Sequence, residues 1–279
     1  MIERRSFLAA SAALAALPRG AFAQSERIVL TGALQQGSLV LGKVEPGASV
    51  KVDGAALRVS PDGRFAFGFE YDQTKPSTVA ATFADGSSQT RDIMPAARQY
   101  EIQKINGLPD QEAHPSEPDI VARIQREHAL VGRARKTDSD LSFYAEPLDW
   151  PAKGIISGVF GSQRILNGVA SAPHFGVDIA GGEAAAIHAP AGGMVLLAEQ
   201  FFLEGGYTLL DHGHGVFTGY MHQSAQLVKA GDAVARGQQI GNIGHTGRAT
   251  GPHLHWQMNW FQVRLDPSLS TRTSAPDKA

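Results

Sequence analysis

Eight of the ten histidines in this 279-residue chain fall between His174 and His255, a span of 82 residues that would hold about three if histidine were scattered evenly. Imidazole is the commonest nitrogen ligand for zinc, and a catalytic zinc keeps three protein ligands and leaves one position open. The chain has no cysteine, so a metal can sit only on His, Asp or Glu, and disulfides, thiolate ligands and a cysteine nucleophile are excluded. The run His253-Leu254-His255-Trp256-Gln257-Met258-Asn259-Trp260 alternates polar with large apolar residues and reads as a half-buried strand. His253 and His255 then project from one face, roughly 7 Å apart along the backbone. In Val216 to His222 the same alternation puts Thr218, Tyr220 and His222 on one face, so His222 can look across a sheet at that pair. His174 and Asp178 stand four apart at the entry to a short strand, Val177-Asp178-Ile179. Fully extended, such positions would lie about 13 Å apart, so sharing one ion requires a bend, expected at Gly176.

Three separated motifs carry a family resemblance. His174-Phe175-Gly176-Val177-Asp178, Gly219-Tyr220-Met221-His222 and Thr246 to His255, ending Gly251-Pro252-His253-Leu254-His255, resemble in order the motifs of lysostaphin-type (LytM-like) zinc metallopeptidases. The resemblance covers about residues 150–267. It implies that His174, Asp178 and His255 are zinc ligands and that His222 and His253 are metal-free catalytic histidines. Zinc would acidify a water and polarise the scissile carbonyl, and either histidine, titrating near neutrality, would move the proton. One departure stands out: members of the family carry a tyrosine shortly before the first zinc histidine, and here Asn167 and Gly168 stand in that region, with Asn167 as the candidate substitute. His188, His212, His214 and His245 lie beside glycine or proline and read as structural hydrogen-bonding residues of turns. Arg248 and Thr250 read as solvated loop positions, with substrate contact as the alternative.

The elements that must position these residues are mainly β. From residue 27 to 95, Val50/Val52, Leu57/Val59, Phe65/Phe67/Phe69 and Val79/Ala81/Phe83 alternate with strand period, and Asp53-Gly54, Asp62-Gly63 and Asp85-Gly86 between them predict hairpin turns. The expected architecture is a small antiparallel β-sandwich-like domain over residues 24–95, a connector over 96–148, an antiparallel-sheet peptidase domain over 149–267 and a polar tail over 268–279. In the connector, Val121, Ile124, His128 and Val131 recur at helical spacing, predicting one amphipathic helix within 119–136 capped by Asp119 and serving as a spacer.

The first 23 residues read as an export signal: Arg4-Arg5, an apolar run from Phe7 to Leu17, and the small-residue site Ala21-Phe22-Ala23. The arginine pair before Ser6-Phe7-Leu8 resembles a twin-arginine signal. The apolar run is too short for a stable membrane anchor. A formal charge of -2 gives no basic field and no electrostatic case for nucleic acid. The combined reading is an exported, periplasmic or secreted zinc endopeptidase acting on peptidoglycan stem peptides, with D-alanyl–meso-diaminopimelate cross-links as the bond. The rival is a non-catalytic, wall-binding activator of a peptidoglycan amidase, a kind that loses zinc ligands.

Overall fold

A computed structural model describes residues 26–276, so the export-signal reading of residues 1–23 falls outside the described residues. Seven short strands come first: β1 (Val29–Thr31), β2 (Leu39–Lys43), β3 (Ser49–Val52), β4 (Ala55–Leu57), β5 (Arg64–Gly68), β6 (Ser77–Thr82) and β7 (Ser88–Ile93). They form two antiparallel sheets, ordered β1-β2-β5 and β4-β3-β6-β7. Val40, Phe65 and Phe67 from the first sheet and Val50, Val79 and Ala81 from the second share one core. Asp53 and Gly54 both adopt positive φ (51° and 83°), which joins β3 to β4 in the tight hairpin their sequence predicts. Asp62-Gly63 behaves differently: β4 and β5 lie in different sheets, so this turn carries the chain between layers.

Strand β5 is covered on both faces. Phe65 and Phe67 fill the first core, while Ala66 packs into a second, larger core with Val177, Leu210 and Trp256. Gly68 gives room for that docking, because a Cβ there would come within 2.7 Å of Leu265.

Next come β8 (Ile102–Ile105), a single turn α1 (Asp110–Ala113) and the helix α2 (Pro118–Ala134). Glu117 precedes the first turn and Pro118 opens it, so Asp119 lies inside the helix and does not cap it; no side chain caps this end. Leu130, Val131 and Ala134 lay the apolar stripe of α2 on Phe201, Tyr207 and Phe217. No helix among the described residues is long and apolar enough to cross a membrane.

The remainder is β9 (Ile155–Gly158), β10 (Gln163–Leu166), β11 (Val169–Ala170), β12 (Val177–Ala180), β13 (Ala186–His188), β14 (Gly193–Phe201), β15 (Gly205–Gly213), β16 (Val216–Gln226), β17 (Ala233–Val234), β18 (Gln239–Ile243), β19 (Leu254–Trp260) and β20 (Val263–Leu265). The main sheet is antiparallel, ordered β17-β14-β15-β16-β19-β12-β9, with β13 and β18 paired at one side and β20 on β19. Strand β8 pairs in parallel with β10, so the connector contributes a strand as well as a helix.

Candidate metal centre

Three antiparallel neighbours bring the site together. Asp178 on β12 stands directly opposite His255 on β19, and His255 in turn stands opposite Met221 on β16, one residue before His222. The ladder sets the register, and the alternation of each strand decides which side chains share a face. His222 interrupts its strand with φ of 62°, a left-handed conformation that costs a non-glycine residue strain. Its amide donates to the Glu204 carbonyl at 2.8 Å, which holds the kink.

His174, Asp178 and His255 converge. His174 Nε2 lies 3.0 Å from Asp178 Oδ1 and 2.8 Å from His255 Nδ1, and His255 Nδ1 lies 2.7 Å from the same carboxylate oxygen. All three residues are buried. His174 Nδ1 donates to the Val159 carbonyl at 3.0 Å, which leaves a lone pair on Nε2 aimed at the carboxylate. Lone pairs facing a carboxylate oxygen in a buried site repel unless a cation sits among them, so this donor set fits a metal ion. Burial works against ionising Asp178, and protons on the His174 and His255 nitrogens beside it would hold its carboxyl well below the usual range; a metal ion would take the place of those protons. Burial pushes His255 down to about 3, keeping its imidazole neutral and able to ligate.

The bend between His174 and Asp178 forms, but glycine serves it through space, since Gly176 is not among the residues with positive φ. A Cβ at Gly176 would meet His255 Nε2 at 2.5 Å and the Trp256 carbonyl oxygen at 2.7 Å. Gly158, opposite Asp178 on β9, is required in the same way: a Cβ there would overlap Asp178 Oδ2 and touch His174 at 3.0 Å.

His222 and His253 stand beside this trio with ring centroids 4.8 Å apart. Both are anchored through Nδ1, His222 on the Thr246 carbonyl and His253 on the Gly251 carbonyl, each at 2.8 Å. In a neutral ring so anchored Nε2 is the acceptor, and that of His253 is 3.8 Å from Asp178 Oδ1. Burial, reinforced by His253 and His255, pushes His222 down to about 3, so the expectation that it titrates near neutrality fails there.

Arg164, which the sequence did not single out, reaches from β10 to Asp178 Oδ2 at 3.2 Å and takes the carboxylate oxygen turned away from the histidines. No motif marks it; its position follows only from how β10 docks. Asn167 is not an oxyanion donor. With Gly168 it makes a turn at φ of 46° and 87° between β10 and β11, and its amide donates to the Leu108 carbonyl at 2.8 Å. Of the other histidines, His212 is buried in β15 between the Gly192 carbonyl and Thr218 Oγ1, both at 2.7 Å, and His245 pairs with Glu183 at the surface. His214 stacks on Tyr144 and His188 sits in β13, so none of the four joins the site.

A cavity of about 330 Å³ opens in front of Asp178, His222 and His253. One wall comes from Gln103, Ile105 and Leu108, so the segment expected to be a spacer helps to shape the cleft. A second cavity of about 220 Å³ reaches His174, His222 and His255. Arg248 lines both.

Residues 172–267 match the model of Peptidase family M23. Over 119 residues the chain is 39% identical to the peptidoglycan DD-endopeptidase ShyA of Vibrio cholerae, an alignment covering 42% of this chain and 27% of that protein. To ShyB of the same organism, also named a peptidoglycan DD-endopeptidase, it is 33% identical over 140 residues, or 50% of this chain and 33% of that one. The chain thus spans only about a quarter to a third of the length of these relatives. The crystal structure of a putative peptidase M23 from Pseudomonas aeruginosa superposes with a TM-score of 0.66 at 26% identity, covering 84% of this chain and 93% of that one.

Proposed function

We propose that this chain, whose residues 172–267 form a domain of peptidase family M23, is an exported zinc endopeptidase that opens the direct D-alanyl–meso-diaminopimelate cross-links of peptidoglycan. The observation that carries the reading is the pairing of two groups in one cleft: His174, Asp178 and His255 converging on a point, and His222 and His253 beside it, each anchored through Nδ1 to a backbone carbonyl. Zinc suits a donor set of two imidazoles and one carboxylate. His174 Nε2, His255 Nδ1 and Asp178 Oδ1 would hold it, with Arg164 steadying the second oxygen.

When bound, zinc supplies Lewis acidity, acidifying a water and polarising the scissile carbonyl. The remaining work falls to the chain itself. A water between the two free histidines has two protons, and each Nε2 can accept one hydrogen bond. His222, buried and hard to protonate, orients that water. His253, with more access to the cavity, takes the proton as the water attacks and returns it to the leaving nitrogen.

The substrate class is supported by the relatives, named peptidoglycan DD-endopeptidases. The relatives' named substrate and the signal-like first 23 residues support a working site in the cell envelope, in the periplasm. The proposed division of labour is a β-rich accessory domain over 24–95, a connector over 96–148 and the peptidase domain over 149–267. An amidase activator of this type lacks ligands that are all present here, which disfavours the rival. The test is digestion of purified cross-linked muropeptide dimers beside pentaglycine. Conversion of dimers to monomers with pentaglycine untouched is the expected result; surviving dimers with cut pentaglycine would replace the substrate.

A further inference from the structure

The cavity that reaches His174, His222 and His255 is lined by three guanidinium groups, Arg164, Arg248 and Arg264, against one carboxylate, Glu204. Glu204 already has a partner, His128, at 3.3 Å. Arg164 spends one nitrogen on Asp178, and its Nε is buried without an acceptor. The Arg248 side chain, on the loop before His253, donates only to the Glu112 carbonyl at 3.2 Å among the described residues. Arg264, on β20, has no acceptor among the described residues and lies 5.6 Å over the Phe175 ring. Burial, with the neighbouring Arg135, pushes Arg264 down to about 10, and burial with Arg164 lowers Arg248. Three like charges gathered in a half-buried pocket are costly unless an anion joins them.

We propose that Arg248 and Arg264, backed by Arg164, form a subsite for a substrate carboxylate borne on the carbon attached to the scissile nitrogen. The proposal rests on the peptidase reading and deepens it. A guanidinium fork matches a carboxylate in two parallel hydrogen bonds, which gives orientation as well as attraction. In a direct cross-link the scissile nitrogen belongs to a diaminopimelate centre that carries a free carboxylate on the same carbon. An internal glycyl-glycine bond has none there. The arginines therefore select the direct cross-link and set its nitrogen towards His253, whereas a role as general oxyanion donors would treat every amide alike.

The test compares two cross-linked dimers, one with that carboxylate free and one with it converted to carboxamide. The zinc-loaded protein should favour the free acid by roughly 10- to 100-fold in kcat/KM, the range expected when a charge-assisted pair loses its partner. In Arg248→Gln and Arg264→Gln the acid-to-amide ratio should fall towards one, with zinc content and melting temperature as controls for folding. Equal treatment of the two dimers by the parent protein, or an undiminished ratio in both variants, overturns the subsite. Should the parent cut neither dimer, the peptidase reading fails on its own, and binding of N-acetyl-D-alanine against N-acetyl-D-alaninamide, followed by NMR titration, decides the subsite. Tighter binding of the acid that vanishes in the two variants supports it; equal binding of acid and amide overturns it.

Discussion

Gly176 and Gly158 show how closely the ligands are fitted: each lies where any Cβ would strike a neighbouring metal-site side chain. Gly176→Ala should push His255 off its position by driving a methyl group to 2.5 Å from Nε2, with the Trp256 carbonyl closing the other way out. Overpacking of this kind costs about 1–3 kcal/mol. Zinc affinity should fall at least roughly tenfold, the scale seen when support of a ligand is disturbed. Zinc titration and urea unfolding check this, and an alanine variant indistinguishable from the parent in both would show that His255 has room to spare. The five candidate residues stood out in the sequence through three motifs that resemble a known family, which also implied their roles; alternation added only that His253 and His255 share a face. Arg164 did not, since a lone arginine on a four-residue strand carries no pattern, and its reach to Asp178 depends on β10 docking beside β12. Gly176 was singled out for the wrong physical reason: its lack of a side chain matters, and its backbone freedom does not.

At the scale of elements, the hairpin β15–β16 is the most buried part of the main sheet, and it carries a titrating group away from the metal. His212 is fully buried, and burial pushes it from 6.5 down to about 4. The unfolded chain therefore binds a proton that the folded chain resists. The corresponding stability is present in full above about pH 6.5 and is lost as the pH falls towards about 4, to a total of about 3 kcal/mol. His212→Asn, which can still donate towards the Gly192 carbonyl, should lower the pH slope of unfolding free energy in that window by up to one proton. Denaturant titrations at several pH values measure it, and an unaltered slope would assign the titration elsewhere. Short-range pattern told much at this scale: period-2 runs predicted the β-rich fold, and helical spacing predicted α2. Strand β8 escaped, because Ile102 to Ile105 is too short to show a period and its partner β10 lies some sixty residues on.

For the whole molecule, the decisive contacts join distant parts of the chain and leave no local trace. Arg98 pairs with Asp266 at 2.9 Å across 168 positions, and the Asp266 side chain is only 3% exposed. The same aspartate receives Ser268, and its backbone amide donates to the Gly37 carbonyl at 2.7 Å, tying the chain's end to the first sheets. Arg98→Ala leaves that carboxylate buried with half its partners and should cost roughly 2–3 kcal/mol. A melting temperature equal to the parent's would mean that the two sheet systems do not depend on this tie. A fold class could be read from alternation and turns, whereas the docking of β5 between two cores, made possible by Ala66 and Gly68, could not. The central claim, that one trio holds metal while a separate pair moves protons, is tested most directly by metal content per chain measured by elemental analysis. About one zinc is expected in the parent and retained in inactive His222→Ala and His253→Ala, with zinc lost from His174→Ala, Asp178→Ala and His255→Ala. Full zinc and full turnover in His174→Ala or His255→Ala, or zinc lost from His222→Ala and His253→Ala alone, would contradict it.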